Sequence, residues 1–361
     1  MHETLRAAEA SDLQAFVRDY YGHRLTSSAD LKTDTCCVSG PPPRWIGAPL
    51  ANVHPSVIER FYGCGFPIPH ALRDMQVVDL GCGTGRDVFI LAQLVGPKGT
   101  VHGVDMSAGQ LELARQLAPW HAERFGYERS NTHFHEGFME DLGGIGLRDA
   151  SVDIVVSNCV VNLSPRKDAV LGEVWRVLKP GGELYICDVV CDRRLPWTLA
   201  SDPVLYAECL GGAMYEADFV ALAKQIGFAD PRLVTSAPIG IRNDEVAAKV
   251  GAARFRSVTY RLFKLEGLDA QCEDYGQVAT YRGGIEGAEE LFWLDDHHAF
   301  ERGRAERVCG NTASMLGSTR FAPFFELNGS KRQHYGAFPC GPTFAAAARV
   351  EQRKAEPASC C

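Results

Sequence analysis

The chain has 361 residues, of which 46% are hydrophobic and 23% charged, and its formal net charge is −8 at pH 7. This length suits two or three compact units with real cores. The acidic surplus argues against a nucleic-acid partner, because phosphate binding usually needs a basic surface. No run of about 18 apolar residues is present, so no membrane segment is predicted. The N-terminus lacks an apolar signal region, which predicts a cytoplasmic location.

Residues 1–73 are predicted to form an N-terminal helical arm followed by cysteine-bearing loops. Apolar residues at Leu13, Phe16, Val17 and Tyr20 recur at helical spacing. The loop "CCVSGPPPRWIG" follows and carries the first two cysteines.

Residues 74–192 alternate strand patterns with helical patterns. The strand segments are "QVVDLGCGTG" with its turn, "TVHGVDMS", "THFHEGFMEDL", "VDIVVSN" and "ELYICDVV", and the helix before the fifth strand is predicted to stop at Pro-Gly-Gly. Such alternation predicts an α/β fold, a Rossmann-like doubly wound parallel sheet. A ligand is expected at the carboxyl ends of its strands.

The remaining chain divides into three predicted parts. Residues 193–238 are expected to form helices that cap the sheet. Residues 239–342, which include "ARFRSVTYRLFKL" and "GQVATYRGG", are expected to form a smaller α+β domain. Residues 343–361 are predicted to be a flexible tail that ends in two cysteines.

A glycine-rich turn, "DLGCGTGRD", follows the first strand of the core. Gly81, Gly83 and Gly85 let the backbone turn tightly and approach a ligand. Asp105 ends the second strand about 20 positions later, where a carboxylate can accept ribose hydroxyls. The turn lacks the full dinucleotide signature, which counts against a dehydrogenase.

Together with "VLKPGGEL", this turn resembles the class I S-adenosylmethionine-dependent methyltransferases over about residues 60 to 235. The resemblance implies S-adenosylmethionine as methyl donor. It places Asp79 and the three glycines near the methionine part and Asp105 on the ribose. It places Met106, Met139 and Glu140 beside the adenine, and Asn158 towards the cofactor.

Four cysteine-bearing segments border the carboxyl edge of the predicted sheet. Cys159 follows the fourth strand, Cys64 lies in "FYGCGFPIP", Cys209 lies in "YAECLGGAM", and Cys36 and Cys37 precede the proline run. Converging thiolates make a soft-ligand site that suits trivalent arsenic or zinc. The chain has 13 cysteines but no CxxC pair, and His297-His298 has no cysteine at finger spacing, so no structural metal is expected.

The segments "TSSADLKTDTC", "FYGCG", "IVVSNCVVNLSP", "ECLGGAMY" and "RLFKL" resemble the arsenite methyltransferases. The resemblance implies that Cys159 and Cys209 are the main arsenic ligands and Cys64 the third. Cys36 would form a transient disulfide with Cys64, and Tyr62 would pack beside the cofactor sulfonium. This chain departs from the family at Phe61, where Tyr is frequent, and at the extra thiol of Cys37.

The implied reaction transfers methyl groups to thiol-bound trivalent arsenic and gives methylated and dimethylated arsenicals. The disulfide would supply two electrons after each transfer, and thioredoxin or glutathione would reset it. Arsenite or its glutathione conjugate is the expected substrate, and a monomer is expected. Two alternatives stay open: a methyltransferase for a small organic acceptor, and a metalloid- or zinc-binding sensor.

Overall fold

The computed structural model describes residues 7–21, 42–241 and 243–340. Its helices are α1 (Ala7–Asp19), α2 (Arg44–Ala51), α3 (Pro55–Ile58), α4 (Arg86–Val95), α5 (Ala108–Arg124), α6 (Lys167–Val177), α7 (Trp197–Ala200), α8 (Pro203–Ala207), α9 (Glu216–Ile226), α10 (Asp244–Val250) and α11 (Gly310–Gly317), with 3-10 turns at Val161–Leu163 and Ala322–Phe324. Its strands are β1 (Gln76–Leu80), β2 (Thr100–Asp105), β3 (Thr132–Glu136), β4 (Val152–Asn158), β5 (Leu178–Cys191), β6 (Met214–Tyr215), β7 (Arg232–Pro238), β8 (Phe255–Phe263), β9 (Val278–Tyr281), β10 (Leu291–Trp293), β11 (Ala299–Glu301), β12 (Ala305–Arg307) and β13 (Phe325–Asn328).

A mixed eight-stranded sheet forms the centre of the molecule. Its strand order is β3-β2-β1-β4-β5-β8-β7, with the short β6 paired to β5. Strands β1 to β5 are parallel, whereas β8 runs antiparallel to both β5 and β7. The middle strands are apolar along nearly their whole length, as expected for a sheet with both faces covered. The predicted Rossmann-like α/β class is confirmed.

Two details of the sheet differ from the sequence prediction. The segment that forms β8 was expected in the smaller C-terminal domain, but it pairs with β5 over nine residue pairs and so completes the large sheet. The helix α6 ends at Val177, and the Pro-Gly-Gly segment lies within β5, where the register against β4 shifts between Val152 and Ile154. Periodicity could not show either feature, because both depend on pairing with distant strands.

The smaller unit is built from short antiparallel strands around an aromatic core. One sheet has the order β12-β9-β13, a second joins β10 to β11, and α11 packs against them. A buried ion-pair cluster ties this unit to the large sheet. Glu183 on β5 binds Arg261 on β8 at 2.6 Å and Arg320 of the smaller unit at 2.5 Å. The domain boundaries proposed from the sequence stay predictions.

Two further cysteines of the smaller unit are joined to each other. Cys272 and Cys340 form a disulfide across 68 positions of sequence. Their spacing in the sequence gave no sign of a pair. The chain brings them together because Glu273 bridges to Ala337 in an antiparallel contact beside them.

The N-terminal helix α1 packs over the carboxyl edge of the sheet. Tyr20 donates a buried hydrogen bond to Glu208 at 2.7 Å, and Tyr21 donates to the carbonyl of Ala207 at 2.7 Å. The predicted amphipathic helix is present, with Leu13, Val17 and Tyr20 buried. Among the described residues, no helix is both long enough and apolar enough to cross a membrane.

Candidate active site

The glycine-rich turn connects β1 to α4 at the carboxyl edge of the sheet. Gly81 adopts φ +65°, and a Cβ atom there would lie 2.3 Å from the Val160 side chain. Only glycine allows this approach, because any side chain would collide with the segment that follows β4. The close contact holds the turn beside Cys159, the neighbour of Val160.

Asp105, at the end of β2, holds two backbone segments of the site in place. Its carboxylate accepts hydrogen bonds from the backbone N–H of Gly83 at 2.9 Å and of Ser107 at 2.8 Å. Burial raises the pKa of Asp105, and these backbone hydrogen bonds oppose the rise. A carboxylate has about four lone-pair positions, so acceptor capacity remains for a ligand hydroxyl.

A deep pocket opens between α1, the glycine turn and the ends of β2 and β4. Nine of the ten predicted cofactor residues line it, together with Cys159: Tyr62, Asp79, Gly81, Gly83, Asp105, Met106, Met139, Glu140 and Asn158. Gly85 does not line the pocket. It begins α4 with φ +90° and packs against Phe134 and Phe89 behind the turn.

Acidic side chains surround Asp79, the residue predicted to lie near the methionine part of the cofactor. Burial raises the pKa of Asp79 well above its usual range, and the negative charge of Asp87 raises it further. Arg86 neutralises Asp87 through a buried ion pair at 2.7 Å. A positively charged ligand group beside Asp79 would therefore be stabilised, because it would offset the cost of ionising this carboxyl.

Sequence reasoning missed several residues of the pocket wall. Gln110 of α5 and Tyr21 beyond α1 line it, and Gln110 donates to the Tyr21 carbonyl at 3.1 Å. The Gln110 side-chain oxygen is buried and has no hydrogen-bond partner within the described residues. A hydrogen-bond donor on a bound ligand would satisfy this oxygen, since a buried polar atom without a partner costs free energy. Apart from its place just after β2, Gln110 carries no sequence signal.

The residues predicted around the adenine lie at one end of the pocket. Glu140 accepts hydrogen bonds from Ser164 at 2.5 Å and from Gln14 of α1 at 3.3 Å. Phe138, which was not predicted, lines the same end and is 46% exposed. An apolar slot with an exposed aromatic ring suits a flat heterocycle. The acidic side chains around Asp79, the unpaired side-chain oxygen of Gln110 and the apolar region at Phe138 together fit S-adenosylmethionine.

The three thiols predicted to bind arsenic meet at Cys159. Cys64 and Cys159 are joined by a disulfide whose Cα atoms lie 5.8 Å apart. The Cys209 thiol donates to the carbonyl oxygen of Cys159 at 3.1 Å. All three are buried, with exposures of 6%, 4% and 0% in chain order. Cys159 also lines the cofactor pocket, so it stands between the thiol cluster and the cofactor site.

Two of these cysteines have an unusual backbone. Cys159 adopts φ +57° and Cys209 adopts φ +61°, the left-handed region that non-glycine residues seldom occupy. Strain of this kind persists where the surrounding structure enforces it, and it often marks functional sites.

Asn158 connects the thiol cluster to the cofactor pocket. Its side-chain oxygen accepts the backbone N–H of Cys64 at 3.0 Å. Its side-chain nitrogen donates to the carbonyl of Gly65 at 3.0 Å and to Asp87 at 2.8 Å. The residue expected to face the cofactor therefore lines the pocket and also anchors the loop that carries Cys64.

A half-buried lysine, Lys167, interacts electrostatically with Cys209. Lys167 donates to the carbonyls of Ser164 at 2.9 Å and Asn162 at 3.3 Å. Burial lowers the pKa of this ammonium to about 8, and Asp188 and the Cys209 side chain oppose the change. A cation at this place favours the thiolate form of Cys209. Sequence reasoning did not single out Lys167.

The structure leaves part of the predicted redox chemistry untested. Cys36 and Cys37 lie outside the described residues, as do the two terminal cysteines. The partner of Cys64 within the described chain is Cys159. Tyr62 lines the pocket and meets Tyr21 edge to face at 5.4 Å, which leaves its role beside a sulfonium a prediction.

Comparisons with known proteins give independent evidence on the family of this chain. A methyltransferase domain model matches residues 72–233, and an arsenite methyltransferase C-terminal domain model matches residues 275–361. The arsenite methyltransferase of Aquipseudomonas alcaligenes is 54% identical over 326 residues, which cover 90% of this chain and 94% of that protein. The human arsenite methyltransferase is 44% identical over 89% of this chain and 85% of its own length.

A solved structure agrees with the sequence relatives. The crystal structure of an arsenic(III) S-adenosylmethionine methyltransferase from Chlamydomonas reinhardtii superposes with a TM-score of 0.80 at 50% identity, covering 83% of this chain and all of that chain. With this fold and with relatives matched along most of their lengths, the chain belongs to the arsenite methyltransferase family of S-adenosylmethionine-dependent enzymes.

Proposed function

We propose that this enzyme methylates trivalent arsenic held by Cys64, Cys159 and Cys209. The observation that carries the proposal is the position of Cys159, which lines the cofactor pocket and meets the other two thiols on its far side. An acceptor bound there would lie next to the donor site, and soft thiolates are the ligands that suit it.

Asp79, Asp105 and Gln110 would hold the cofactor through its charged and hydrogen-bonding groups. S-adenosylmethionine, when bound, supplies an activated methyl group on a sulfonium. The chain orients that group by closing α1 over the pocket, since Tyr20 and Tyr21 fix the helix to residues 207 and 208 beside Cys209. The same helix shields the site from water, which protects a reactive methyl donor.

Trivalent arsenic on three thiolates keeps a lone pair, so the acceptor needs no general base. Forming the carbon–arsenic bond oxidises arsenic formally from the trivalent to the pentavalent state. A dithiol returns the two electrons and becomes a disulfide, which restores trivalent arsenic for the next round. The Cys64–Cys159 bond shows that two of the proposed ligands lie close enough for such a step.

The family resemblance assigns the redox step to Cys36 with Cys64, and we retain that assignment as a proposal. Thioredoxin or glutathione would then reduce the disulfide, which suits a cytoplasmic enzyme that works as a monomer. Successive rounds would give methylated and dimethylated arsenicals from arsenite or its glutathione conjugate. A Cys36→Ser variant should lose turnover of arsenite yet keep part of its activity on a methylated trivalent arsenical. Equal loss on both substrates contradicts a redox role for Cys36.

The test of the function is speciation of arsenic by liquid chromatography and mass spectrometry. The full chain is incubated with arsenite, a thiol reductant and S-adenosylmethionine, and methylated arsenicals should accumulate with time. Cys209→Ser should reduce the rate at least tenfold, whereas Cys309→Ser, a buried thiol of the smaller unit, should keep it. Cofactor binding without any arsenic product would instead favour a small organic acceptor or a sensor.

A further inference from the structure

A fourth thiol lies directly behind the Cys64–Cys159 disulfide. The sulfur of Cys187, on β5, is 3.3 Å from the sulfur of Cys64. Cys64 has no proton in the disulfide, so the Cys187 thiol is the donor of this contact. Cys64 thus contacts both Cys187 and Cys159, and all three side chains are buried.

The backbone on both sides holds these sulfurs in place. Cys187 is paired with Asn158 in the sheet, and its carbonyl accepts the N–H of Cys159 at 2.8 Å. A Cβ atom at Gly65 would lie 3.0 Å from the Cys187 sulfur. A side chain at Gly65 would crowd the Cys187 sulfur, so glycine eases the close approach of this loop to β5.

We propose that Cys187 is a resolving thiol that exchanges with the Cys64–Cys159 disulfide. Its sulfur attacks the sulfur of Cys64, a Cys64–Cys187 bond forms, and the Cys64–Cys159 bond breaks. The proton of Cys187 passes to the departing sulfur of Cys159. One disulfide and one thiol are present before and after the step, so it needs no external oxidant or reductant.

The exchange would return the thiol that borders the cofactor pocket. Cys159 becomes free to bind arsenic together with Cys209. The disulfide is then formed by Cys64 and by Cys187 on β5. This role rests on the function proposed above, but the exchange chemistry itself does not require arsenic.

The Cys187 sulfur also lies 3.6 Å from the hydroxyl oxygen of Ser257 on β8. Cys191, four residues further along β5, is also buried and instead contacts Asp192 at 3.7 Å.

Disulfide mapping on the full chain tests the exchange without arsenic or cofactor. Cys159→Ser is reduced, oxidised with diamide, blocked with N-ethylmaleimide and digested, and a cross-linked peptide joining Cys64 to Cys187 is expected. Adding Cys191→Ser should preserve that cross-link, and adding Cys187→Ser should abolish it. Absence of any cross-linked peptide joining Cys64 to Cys187 overturns the proposal, whether Cys64 is then free or joined only to another cysteine.

A second measurement uses the unmodified sequence and so does not depend on how a variant folds. In glutathione buffers of graded potential, wild-type protein should show both the Cys64–Cys159 and the Cys64–Cys187 cross-links. Absence of the second at every potential contradicts the exchange. Because neither experiment contains arsenite, failure here is distinct from failure of arsenic methylation in the speciation assay.

Discussion

The side-chain oxygen of Asn158 accepts the backbone N–H of Cys64 at 3.0 Å, and this bond ties the thiol loop to the end of β4. The same side chain donates to Asp87 on the cofactor side. One amide group therefore connects the thiol loop to the pocket, and we propose that it positions the methyl donor and the acceptor relative to each other. A shift of about 1 Å between reacting groups can cost about 100-fold in rate.

Asn158→Ala should consequently reduce the maximal methylation rate about tenfold to 100-fold. Asn158→Asp keeps the acceptor for Cys64 but loses the donors and places a second carboxylate beside Asp87, so it should also weaken cofactor binding. Steady-state rates and calorimetric titration with S-adenosylhomocysteine separate the two effects. If Asn158→Ala retains wild-type rates, the positioning role is wrong.

Replacing Asp105 should act on cofactor affinity. Asp105→Ala removes the carboxylate that supports the N–H groups of Gly83 and Ser107 and that is proposed to bind the ribose. Hydrogen bonds to a charged group contribute about 1.5–3 kcal/mol, so the dissociation constant should rise about tenfold to 100-fold. Calorimetric titration gives this value directly. Unchanged affinity would remove Asp105 from the cofactor site.

Lys167 offers a test of thiolate stabilisation at Cys209. In Lys167→Met the cation is lost, so the rising limb of the pH–rate profile for methylation should move to higher pH. Lys167→Arg retains the charge and should keep the profile close to that of the wild type. A uniform fall in rate with no displacement along the pH axis would indicate that Lys167 acts only through its backbone contacts.

Acid sensitivity should arise partly from a buried histidine of α5. His121 accepts the N–H of His54 at 3.1 Å, contacts the Leu117 carbonyl at 2.8 Å and stacks on Phe89. Burial lowers its pKa from 6.5 to about 4. The folded state thus disfavours the protonated ring, and the unfolded chain takes up the proton first as pH falls.

The stabilisation from neutral His121 is therefore complete above pH 6.5 and is lost as the pH falls to about 4. His121→Gln should be less stable at pH 7 but show a shallower decline over this window, by about 2 kcal/mol. Urea unfolding at a series of pH values measures the difference. Parallel curves for the two proteins would mean that His121 does not contribute.

Local patterns were enough to predict the centre of the site. The turn with Gly81 and the acidic residue Asp105 are fixed by their neighbours along the chain, so spacing alone indicates a nucleotide-type pocket. The exit of β4, with Asn158 and Cys159, follows from the same strand–helix alternation.

Relationships across the fold could not be predicted in the same way. The contact of Cys187 with Cys64 spans 123 positions, and the glycine at position 65 leaves room for it. The pairing of β8 with β5 and the disulfide of Cys272 with Cys340 likewise depend on the packing of distant segments. Gln110 and Lys167 could be recognised only from the structure. It shows a buried side-chain oxygen of Gln110 without a hydrogen-bond partner among the described residues, and an electrostatic interaction of Lys167 with Cys209.

The central claim is that Cys159 holds arsenic at the edge of the cofactor pocket. Arsenic retained per chain, measured by inductively coupled plasma mass spectrometry after reduction, exposure to arsenite and gel filtration, tests this most directly. Wild type and Cys191→Ser, a buried thiol on β5 outside the proposed ligand set, should retain the same amount. Cys159→Ser should retain at least tenfold less at limiting arsenite. Equal retention by Cys159→Ser and wild type would contradict the account.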